Sequence, residues 1–314
     1  MKIVQLEPIG MGNTQQSEFQ KKLNEKGHEL ILYNDKPSST DTSIERAAEA
    51  DLLIISNMPL GKEILSSCQN LKMISVAFAG VDHIDMDYCR ENNILVANAA
   101  DYSTHSVAEL TFSLILSLYR KLRWSEDQLR KGNDRQGFLG SELYGKTLGI
   151  VGLGRIGTKV AELGRVFGCK ILTYNRTPKN REGTEQTSLE DLLKHSDIVS
   201  IHVPLTKDTK GMIGVDEIQR MKSASVLINT ARGPVVDSEA LANALNNEKI
   251  AGAGIDVYEK DPPINKEHPL LKAKNAIVLP HIGFATKEAI DKRSRIVMEN
   301  ITGWLNNKPK NVVS

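Results

Sequence analysis

The sequence predicts an α/β protein of two domains, each built on a doubly wound parallel sheet. Short apolar runs alternate with amphipathic helical patterns along most of the chain, as in strands joined by crossover helices. The chain has 314 residues, which is enough for two domains with separate hydrophobic cores. A run of spaced glycines near the middle of the chain follows one predicted strand and leads into a predicted helix.

The first predicted domain begins with residues 1–100. It contains five short apolar runs with helical patterns between them, and each run has the length of a buried strand. The runs are residues 3–6, 30–33, 52–55, 73–77 and 94–97. Because strands that alternate with helices run parallel, we expect a parallel sheet with helices on both faces.

The segment after this domain predicts a long helix and then an unusual linker. Between residues 103 and 121, apolar side chains recur at the i, i+3, i+4, i+7, i+8 and i+11 positions of one helix face. Residues 120–140 are more polar but keep several large apolar side chains, namely Leu122, Trp124, Leu129, Phe138 and Leu139. Either a partner subunit or the same domain would cover this apolar surface.

The second predicted domain spans residues 101–284. Its apolar runs are residues 148–151, 171–174, 198–203, 226–229, 251–257 and 276–279. Six strands with a glycine turn after the first describe a Rossmann sheet. The last helical pattern, residues 287–305, is free to pack on the first domain. Residues 285–314 are therefore assigned to the first domain, which becomes discontinuous.

The glycine turn predicts a dinucleotide site. Gly152, Gly154 and Gly157 have G-x-G-x-x-G spacing within the sequence KTLGIVGLGRIG. The first glycine permits a tight turn, the second lets the backbone approach a pyrophosphate, and the third lets helix and strand pack closely. Three glycines alone also suit a turn without a ligand, but the strand before them and the helix after them favour the dinucleotide site.

Composition and charge exclude several classes of protein. The chain has 40 basic and 39 acidic side chains, a formal net charge of +1, so no strong attraction to nucleic acid or to an anionic membrane is expected. The three cysteines form no C-x-x-C pair, which argues against a disulfide framework or a metal site. No apolar run has the ~20 residues of a membrane span, and the N-terminus lacks a signal-peptide pattern. We therefore expect a cytoplasmic protein.

The end of the second strand of the second domain bears on the choice of cofactor. An NAD site would place an acidic side chain there for the ribose diol, but the sequence reads Asn175, Arg176 and Thr177. A planar cation and a hydroxyl group suit a 2'-phosphate instead. This favours NADP(H), with NAD(H) as the alternative if Arg176 is only an exposed arginine in a turn.

Two loops of the same domain carry residues suited to catalysis. NTARG places Arg232 just after the fourth strand, where its guanidinium can bind a carboxylate or polarise a carbonyl group. His281 follows the sixth strand. A lone histidine is more often structural, but a carboxylate from the loop DVYEKDPP would orient this one as a general acid.

These motifs together resemble those of the D-isomer-specific 2-hydroxyacid dehydrogenase family. GLGRIG, NTARG, DVYEKDPP and PHIGFAT occur with AGVDHID and SVAEL in an ordered series between about residues 71 and 286. The resemblance, strongest to glyoxylate or hydroxypyruvate reductases and to phosphoglycerate dehydrogenase, implies two lobes around a cleft. It also implies a nicotinamide cofactor on the Rossmann lobe, a small 2-oxoacid or 2-hydroxyacid substrate, and a homodimer joined through that lobe.

Residue roles follow from the resemblance position by position. Arg232 would bind the carboxylate and carbonyl of the substrate, His281 would protonate the carbonyl oxygen, and N–H groups near Ala79 and Gly80 would anchor the carboxylate. The nicotinamide would lie near Asp256. The implied cofactor-binding positions are Gly152, Gly154, Arg155, Ile156, Gly157, Asn175, Arg176, Thr177, Val203, Pro204, Thr230, Ala231, Asp256, His281 and Gly283.

Two departures from the family pattern matter. The family usually places Glu as the partner of the catalytic histidine, whereas this chain has Asp261, with Glu259 a weaker substitute. Phosphoglycerate-using relatives have an arginine after the third strand, whereas this chain reads SNMP at residues 56–59. Without a cation there, 3-phosphoglycerate is disfavoured. Met58 and Phe284 either line the cleft for a small or moderately apolar acid or simply pack in the core.

The leading hypothesis is an NADP(H)-dependent reductase of a small 2-oxoacid such as glyoxylate or hydroxypyruvate. The alternative within the family is an NAD-dependent D-2-hydroxyacid or 3-phosphoglycerate dehydrogenase. A transcriptional corepressor that senses the dinucleotide is a different class of function, and the retained Arg232, Asp261 and His281 argue against it. Formate dehydrogenase is disfavoured because formate has no carbonyl group to protonate.

Overall fold

The chain divides into two compact units. The computed structural model describes residues 1–135, 137–179 and 181–314. Unit 1 contains residues 1–103 and 284–314, and unit 2 contains residues 104–283. The boundaries expected from the sequence, after residues 100 and 284, differ from these by at most a few residues. Both units contain parallel sheets with helical connections, which confirms the predicted α/β class.

The strands overlap the apolar runs of the sequence. They are β1 (Lys2–Gln5), β2 (Glu29–Leu32), β3 (Leu52–Ile55), β4 (Met73–Val76), β5 (Leu95–Ala97), β6 (Thr147–Val151), β7 (Lys170–Tyr174), β8 (Glu185–Gln186), β9 (Ile198–Ile201), β10 (Val226–Asn229), β11 (Gly252–Ile255) and β12 (Ala276–Val278). The prediction of six strands for the second domain is wrong by one. Strand β8 has two polar residues and no apolar run, so no hydrophobic pattern marks it.

The helices lie between these strands, apart from α12, which follows β12, and α6 lies in the stretch expected to be a linker. They are α1 (Asn13–Asn24), α2 (Thr40–Ala47), α3 (Lys62–Ser67), α4 (Met86–Glu91), α5 (Thr104–Tyr119), α6 (Leu122–Arg130), α7 (Arg155–Val166), α8 (Leu189–His195), α9 (Val215–Arg220), α10 (Ser238–Asn246), α11 (Pro269–Lys272) and α12 (Lys287–Leu305). Within the described residues, no helix is long and apolar enough to cross a membrane.

In unit 1 the sheet has the order β2-β1-β3-β4-β5. Strands β3 and β4 are buried along their whole length, as expected for strands covered by helices on both faces. Helix α12 packs on this sheet, and its Val297 and Ile301 lie in one core cluster with Ile3 of β1. The C-terminal tail also pairs antiparallel with β5 through Ala97 and Val312, which covers an edge that would otherwise be open.

In unit 2 the sheet has the order β12-β11-β10-β9-β6-β7-β8. Counted along the unit, this is the 3-2-1-4-5-6 order of a Rossmann sheet with one further strand at the edge. The direction of winding reverses between β6 and β9. Ligands of such sheets bind at the carboxyl ends of the strands near this reversal, so the loops after β6, β7, β9, β10, β11 and β12 are the ones that concern function.

Helix α6 and the residues after it leave apolar side chains exposed in unit 2. Leu129 is 74% exposed and Leu139 is 84% exposed. Trp124 stacks on Phe138 with ring centroids 5.6 Å apart, yet Trp124 and Leu122 also remain exposed. Packing on the same unit therefore covers only part of the apolar surface noted in the sequence.

Candidate active site

The three glycines of the turn after β6 differ in what a side chain at each position would contact. Gly152 has φ +101°, and a Cβ there would lie 2.7 Å from the carbonyl oxygen of His202. A Cβ on Gly157 would lie 2.0 Å from the carbonyl oxygen of Gly152. A Cβ on Gly154 would meet no atom within 4 Å, so open space lies beside this residue.

The start of α7 fits a dinucleotide pyrophosphate. Gly154 is the N-cap, and as a glycine it has no side chain to cap the first turn. The N–H groups at a helix start and the positive end of the helix dipole attract phosphate at such a site. The open space beside Gly154 lets a phosphate approach the backbone, so the residues present fit a nicotinamide dinucleotide.

The three residues expected to select the cofactor make different contacts. Asn175 Oδ1 accepts a hydrogen bond of 2.6 Å from the Leu153 N–H, so this side chain supports the glycine turn. Its Nδ2 is buried with no hydrogen-bond partner among the described residues. Arg176 pairs with Asp208 at 3.0 Å, and both side chains are largely exposed. Thr177 is exposed.

The remaining positions implied for the cofactor lie at the same edge of the unit 2 sheet. Arg155 and Ile156 are the first two residues of α7. The others lie within a few residues of strand ends, with Val203 and Pro204 after β9, Thr230 and Ala231 after β10, Asp256 after β11, and His281 and Gly283 after β12. Burial lowers the pKa of the neighbouring His202 to about 3, so its ring is neutral at physiological pH.

The loop that carries Arg232 is fixed by contacts of neighbouring residues with its backbone. Asn229 donates to the carbonyl oxygen of Arg232 at 2.9 Å and accepts the N–H of Ala231 at 3.1 Å. A Cβ on Gly233 would lie 2.0 Å from the carbonyl carbon of Tyr258, so only glycine fits there. Arg232 Nη1 donates to the Ala231 carbonyl oxygen at 2.8 Å. Asn229 was missed from sequence, although a polar residue ending a buried strand is a recognisable signal.

His281 and Asp261 meet in the structure. His281 Nδ1 lies 2.7 Å from Asp261 Oδ1, so the shorter carboxylate reaches the ring. His281 has φ +60°, a left-handed conformation that is uncommon for a residue other than glycine. Glu259 is engaged elsewhere, because it accepts from the Ser238 hydroxyl at 2.6 Å and contacts His268 Nε2 at 3.0 Å.

Asp256, directly after β11, holds the loop that carries His281 through hydrogen bonds. It is fully buried, and its two oxygens accept the N–H groups of Ile282 and Gly283 at 2.8 and 2.7 Å. Burial raises the pKa of Asp256, while these N–H groups and the nearby His281 oppose the increase. Tyr258 adds a second tie, because its hydroxyl donates to the Leu279 carbonyl oxygen at 3.0 Å. The sequence did not reveal these supporting contacts.

In unit 1, Ala79 and Gly80 lie in the loop after β4. Asn98 donates to the Ala79 carbonyl oxygen at 2.7 Å, which fixes this loop. Of the two interpretations of Met58 and Phe284, core packing has direct support. Met58 is buried, and Phe284 stacks edge to face on Phe78 with centroids 5.3 Å apart.

The loop after β3 corrects one expectation. The absence of an arginine at residues 56–59 implied that no cation lies there, but Lys36 Nζ donates to Asn57 Oδ1 at 3.1 Å. The lysine comes from the loop after β2, so local sequence around Asn57 does not show it. A cation does lie beside this loop, so the expected absence of one there is wrong and does not disfavour 3-phosphoglycerate.

The strand order of unit 2 and its glycine turn define a dinucleotide-binding domain joined to a second α/β unit. Residues 112–283 match the model of the D-isomer specific 2-hydroxyacid dehydrogenase, NAD binding domain. The chain belongs to the D-isomer-specific 2-hydroxyacid dehydrogenase family, which confirms the resemblance of its motifs. It is an oxidoreductase that uses a nicotinamide dinucleotide.

Individual relatives agree with this assignment. The chain is 40% identical over 308 residues to a glyoxylate reductase of Thermococcus litoralis, covering 93% of this chain and 92% of the relative. It is 40% identical over 265 residues to a D-3-phosphoglycerate dehydrogenase of Methanocaldococcus jannaschii, covering 82% of this chain and 50% of that one. Among solved structures, an acyclic imino acid reductase in complex with NADPH and D-Arg has a TM-score of 0.93 at 32% identity and full coverage of both chains.

Proposed function

We propose that this enzyme reduces a small 2-oxoacid of the glyoxylate or hydroxypyruvate type with NADPH. The observation that carries the proposal is the 2.7 Å contact of His281 with Asp261, in the same unit as the fixed loop of Arg232. The similarity to a glyoxylate reductase over nearly the whole length of both chains supports the substrate class.

The proposed chemistry assigns one task to each side chain. The Arg232 guanidinium binds the substrate carboxylate and polarises the keto oxygen. His281, in its protonated form, gives a proton to that oxygen as negative charge develops, and it takes the proton back in the oxidation. Asp261 accepts the Nδ1–H, which leaves Nε2 as the proton donor. The reduced nicotinamide supplies the hydride when it is bound.

The proposal places the substrate carboxylate on the N–H groups of Ala79 and Gly80. The loop is suited to this because the Asn98 contact holds the Ala79 carbonyl group. Asp256 is a positioning residue for His281, because its oxygens bind the two N–H groups that directly follow the histidine.

The first test is a rate measurement with purified enzyme. NADPH oxidation should depend on glyoxylate or hydroxypyruvate, and His281→Gln should lower kcat by about 10²–10⁴-fold, the usual contribution of a general acid. His268→Gln is the matched control, because it removes a histidine that contacts Glu259 instead of Asp261. Rates with His281→Gln equal to those of the original enzyme would contradict the assignment.

The preference for NADPH is the second part of the proposal. The neutral Asn175 at the end of β7 and the neighbouring Arg176 favour a 2'-phosphate. The exposed Asp208 competes with the phosphate for Arg176, and such exposed pairs are weak.

Kinetics with both cofactors test this preference. Arg176→Ala should lower kcat/KM for NADPH about 10-fold, since one charge-assisted hydrogen bond to the 2'-phosphate is lost. The value of kcat/KM for NADH should not change. Asp208→Asn should raise the preference for NADPH. Arg220→Ala, which removes an exposed arginine of α9, serves as the control. A clear preference of the original enzyme for NADH would overturn this part alone.

A homodimer formed through unit 2 is the third part of the proposal. The exposed Leu122, Trp124, Leu129 and Leu139 form an apolar surface of a kind that marks protein interfaces. Behind α6, a cavity of about 650 Å³ lined by Trp124, Phe138 and Ile277 would receive side chains from a second copy.

An NAD-dependent 3-phosphoglycerate dehydrogenase is the second candidate function. The contact of Lys36 with Asn57 favours it, as does the similarity to a D-3-phosphoglycerate dehydrogenase. Oxidation of 3-phosphoglycerate with NAD, faster than reduction of glyoxylate with NADPH, would establish it. A dinucleotide-sensing corepressor is disfavoured because it has no use for the proton donor that His281 and Asp261 provide.

A further inference from the structure

Unit 1 has its own point where the winding of the sheet reverses. In the order β2-β1-β3-β4-β5, the chain leaves β1 toward one side to form β2 and then crosses to the other side to form β3. Ligands of open parallel sheets bind outside the carboxyl ends of the strands at such a reversal. The loops after β1 and β3 lie there, with the loops after β2 and β4 on either side.

A buried carboxylate joins the two central loops. Glu7 follows β1 and is fully buried. Its Oε1 accepts the N–H groups of Ser56 and Met58, after β3, at 2.8 and 2.9 Å. A buried carboxylate is strongly unfavourable unless it is paired. Glu7 Oε2 makes no hydrogen bond within the described chain but lies at ion-pair distance, 3.5 Å, from Lys36 Nζ.

Lys36 is therefore a cation held in place by two loops. Its ammonium contacts Glu7 Oε2 on one side and donates to Asn57 Oδ1 at 3.1 Å on the other. The lysine side chain is nevertheless 62% exposed. An ammonium has three N–H donors, so these two contacts leave at least one donor for a ligand.

We propose that Lys36, with Asn57, recognises an anionic group at the far end of the 2-oxoacid, either a carboxylate or a phosphate. Glu7 is the positioning residue that holds Lys36. This inference rests on the proposed function and specifies its substrate class. Electrostatic attraction and a charge-assisted hydrogen bond would favour a substrate with a distal anion over a neutral one of the same length.

The loop proposed to bind the substrate carboxylate is the neighbour of the loop that carries Asn57. The N–H of Leu60, after β3, donates to the His83 carbonyl oxygen at 2.8 Å, and the Asp85 N–H donates back to the Leu60 carbonyl oxygen at 3.0 Å. The two loops follow the adjacent strands β3 and β4, and adjacent strands lie ~4.8 Å apart. This strand spacing is comparable to the length of a short 2-oxoacid with a distal anion.

A cationic substrate tail on Glu7 is the rival interpretation. It fits less well because Glu7 Oε2 has no exposure to solvent and Lys36 lies over it. A cationic tail would have to displace Lys36 from Glu7, and the lysine ammonium would repel it. The observations therefore favour an anion on Lys36.

Paired substrates test the proposal in the full-length enzyme. The pairs are 2-oxoglutarate against 2-oxopentanoate, for a carboxylate, and 3-phosphohydroxypyruvate against hydroxypyruvate, for a phosphate. The original enzyme should prefer the charged member of at least one pair. Lys36→Met should lower kcat/KM for the charged substrate about 10-fold or more. It should change kcat/KM for the neutral substrate less than about 2-fold. Lys22→Met, in the exposed last turn of α1, makes the same change in net charge and should leave the preference intact.

Glu7→Gln tests the positioning role. Glutamine keeps the shape of the side chain and one acceptor oxygen but removes the charge that holds Lys36. We expect KM for the charged substrate to rise several-fold while kcat, and KM for the neutral substrate, stay near their original values. A purely structural defect would impair both substrates equally.

Three results would overturn the inference: no preference for either charged substrate, an equal loss on both members of a pair in Lys36→Met, or a preference for 5-guanidino-2-oxopentanoate. Failure of the proposed function is a different result, namely no reduction of any 2-oxoacid including glyoxylate. In that case the calorimetric Kd values of 2-oxoglutarate and 2-oxopentanoate, in the original enzyme and in Lys36→Met, still decide whether Lys36 binds an anion.

Discussion

At the scale of single residues, the loop backbone brings Asp261 to His281. The aspartate is one methylene shorter than the usual glutamate, yet its Oδ1 lies 2.7 Å from His281 Nδ1. The left-handed backbone of His281 and the two N–H groups bound by Asp256 together fix where the ring stands. Left-handed conformations of residues other than glycine cost free energy and occur at active sites as well as in turns.

Asp261→Asn should lower the rate of reduction about 10-fold or more, part of the 10²–10⁴-fold contribution of a general acid. An asparagine can present its Nδ2–H₂ group to the ring instead of an acceptor oxygen, so the tautomer and orientation of the imidazole are no longer fixed. Values of kcat and kcat/KM at one pH measure the loss. Asp261→Glu should retain activity, and Glu259→Gln should leave the rate unchanged, since Glu259 contacts other residues.

Gly233→Ala should displace the loop that carries Arg232 and so lower the activity. The new Cβ would lie 2.0 Å from backbone atoms of Tyr258, so the loop must move. We expect kcat/KM to fall at least ~10-fold, because displacing a catalytic group by about 1 Å has large effects on rate. Gly214→Ala is the control, as its Cβ would have an ordinary contact of 3.6 Å with Glu217. Full activity of Gly233→Ala would mean that this close approach is not required.

At the scale of secondary-structure elements, Asp197 links the first residues of the neighbouring strands β6 and β9. It precedes β9 and accepts the N–H of Thr147, the first residue of β6, at 2.8 Å. Its other oxygen pairs with Lys222 at 2.9 Å. Burial alone would raise the pKa of Asp197, but the Lys222 ammonium and the Thr147 N–H outweigh it and lower the pKa.

Asp197→Asn should therefore reduce stability in a pH-dependent way. A lowered pKa means that the charged carboxylate stabilises the folded state above the unfolded value of 3.8, and that this stabilisation is lost as the pH falls through the folded value. The free energy of unfolding should decrease by about 1 kcal/mol at pH 7. The difference should shrink below about pH 4. Denaturant titrations at several pH values measure it.

The control for this experiment is Glu190→Gln. Glu190 pairs with Lys194 on the exposed face of α8, and such pairs contribute little to stability. If Asp197→Asn lowered the free energy of unfolding by the same amount at all pH values, the proposed role of the Asp197 charge would be contradicted.

At the scale of the whole molecule, the chain leaves unit 1 after residue 103 and returns to it at residue 284. Unit 1 thus contains both termini, and its core includes Val297 of α12 next to strands from the first part of the chain. Unit 2 is continuous and carries the exposed apolar surface of α6 and Leu139. The proposed dimer is the expected consequence of that surface.

The variant Leu129→Glu,Leu139→Glu should be monomeric. Two buried carboxylates at an interface would be strongly unfavourable without partners, so light scattering should give half the mass of the original assembly. Val166→Glu, at an equally exposed position of α7, is the control and should leave the mass unchanged. An original protein that is already monomeric would contradict the dimer.

Local sequence was enough to predict most of the elements and the chemistry of the loops. Hydrophobic periodicity marks each buried strand because burial depends on local spacing, and the glycine motif identifies the phosphate turn because its steric demands are local. The same applies to Arg232 and His281, which stand next to strand ends and within ordered motifs.

Which distant residues contact each other became clear only from the folded structure. It brought Lys36 to Asn57 across strand β1, where the local sequence had suggested no cation. It also placed Asp256 under the His281 loop and paired the C-terminal tail with β5. Strand β8 is likewise a product of pairing with β7. Such contacts depend on strand order and loop packing, and nothing in the spacing of nearby residues encodes them.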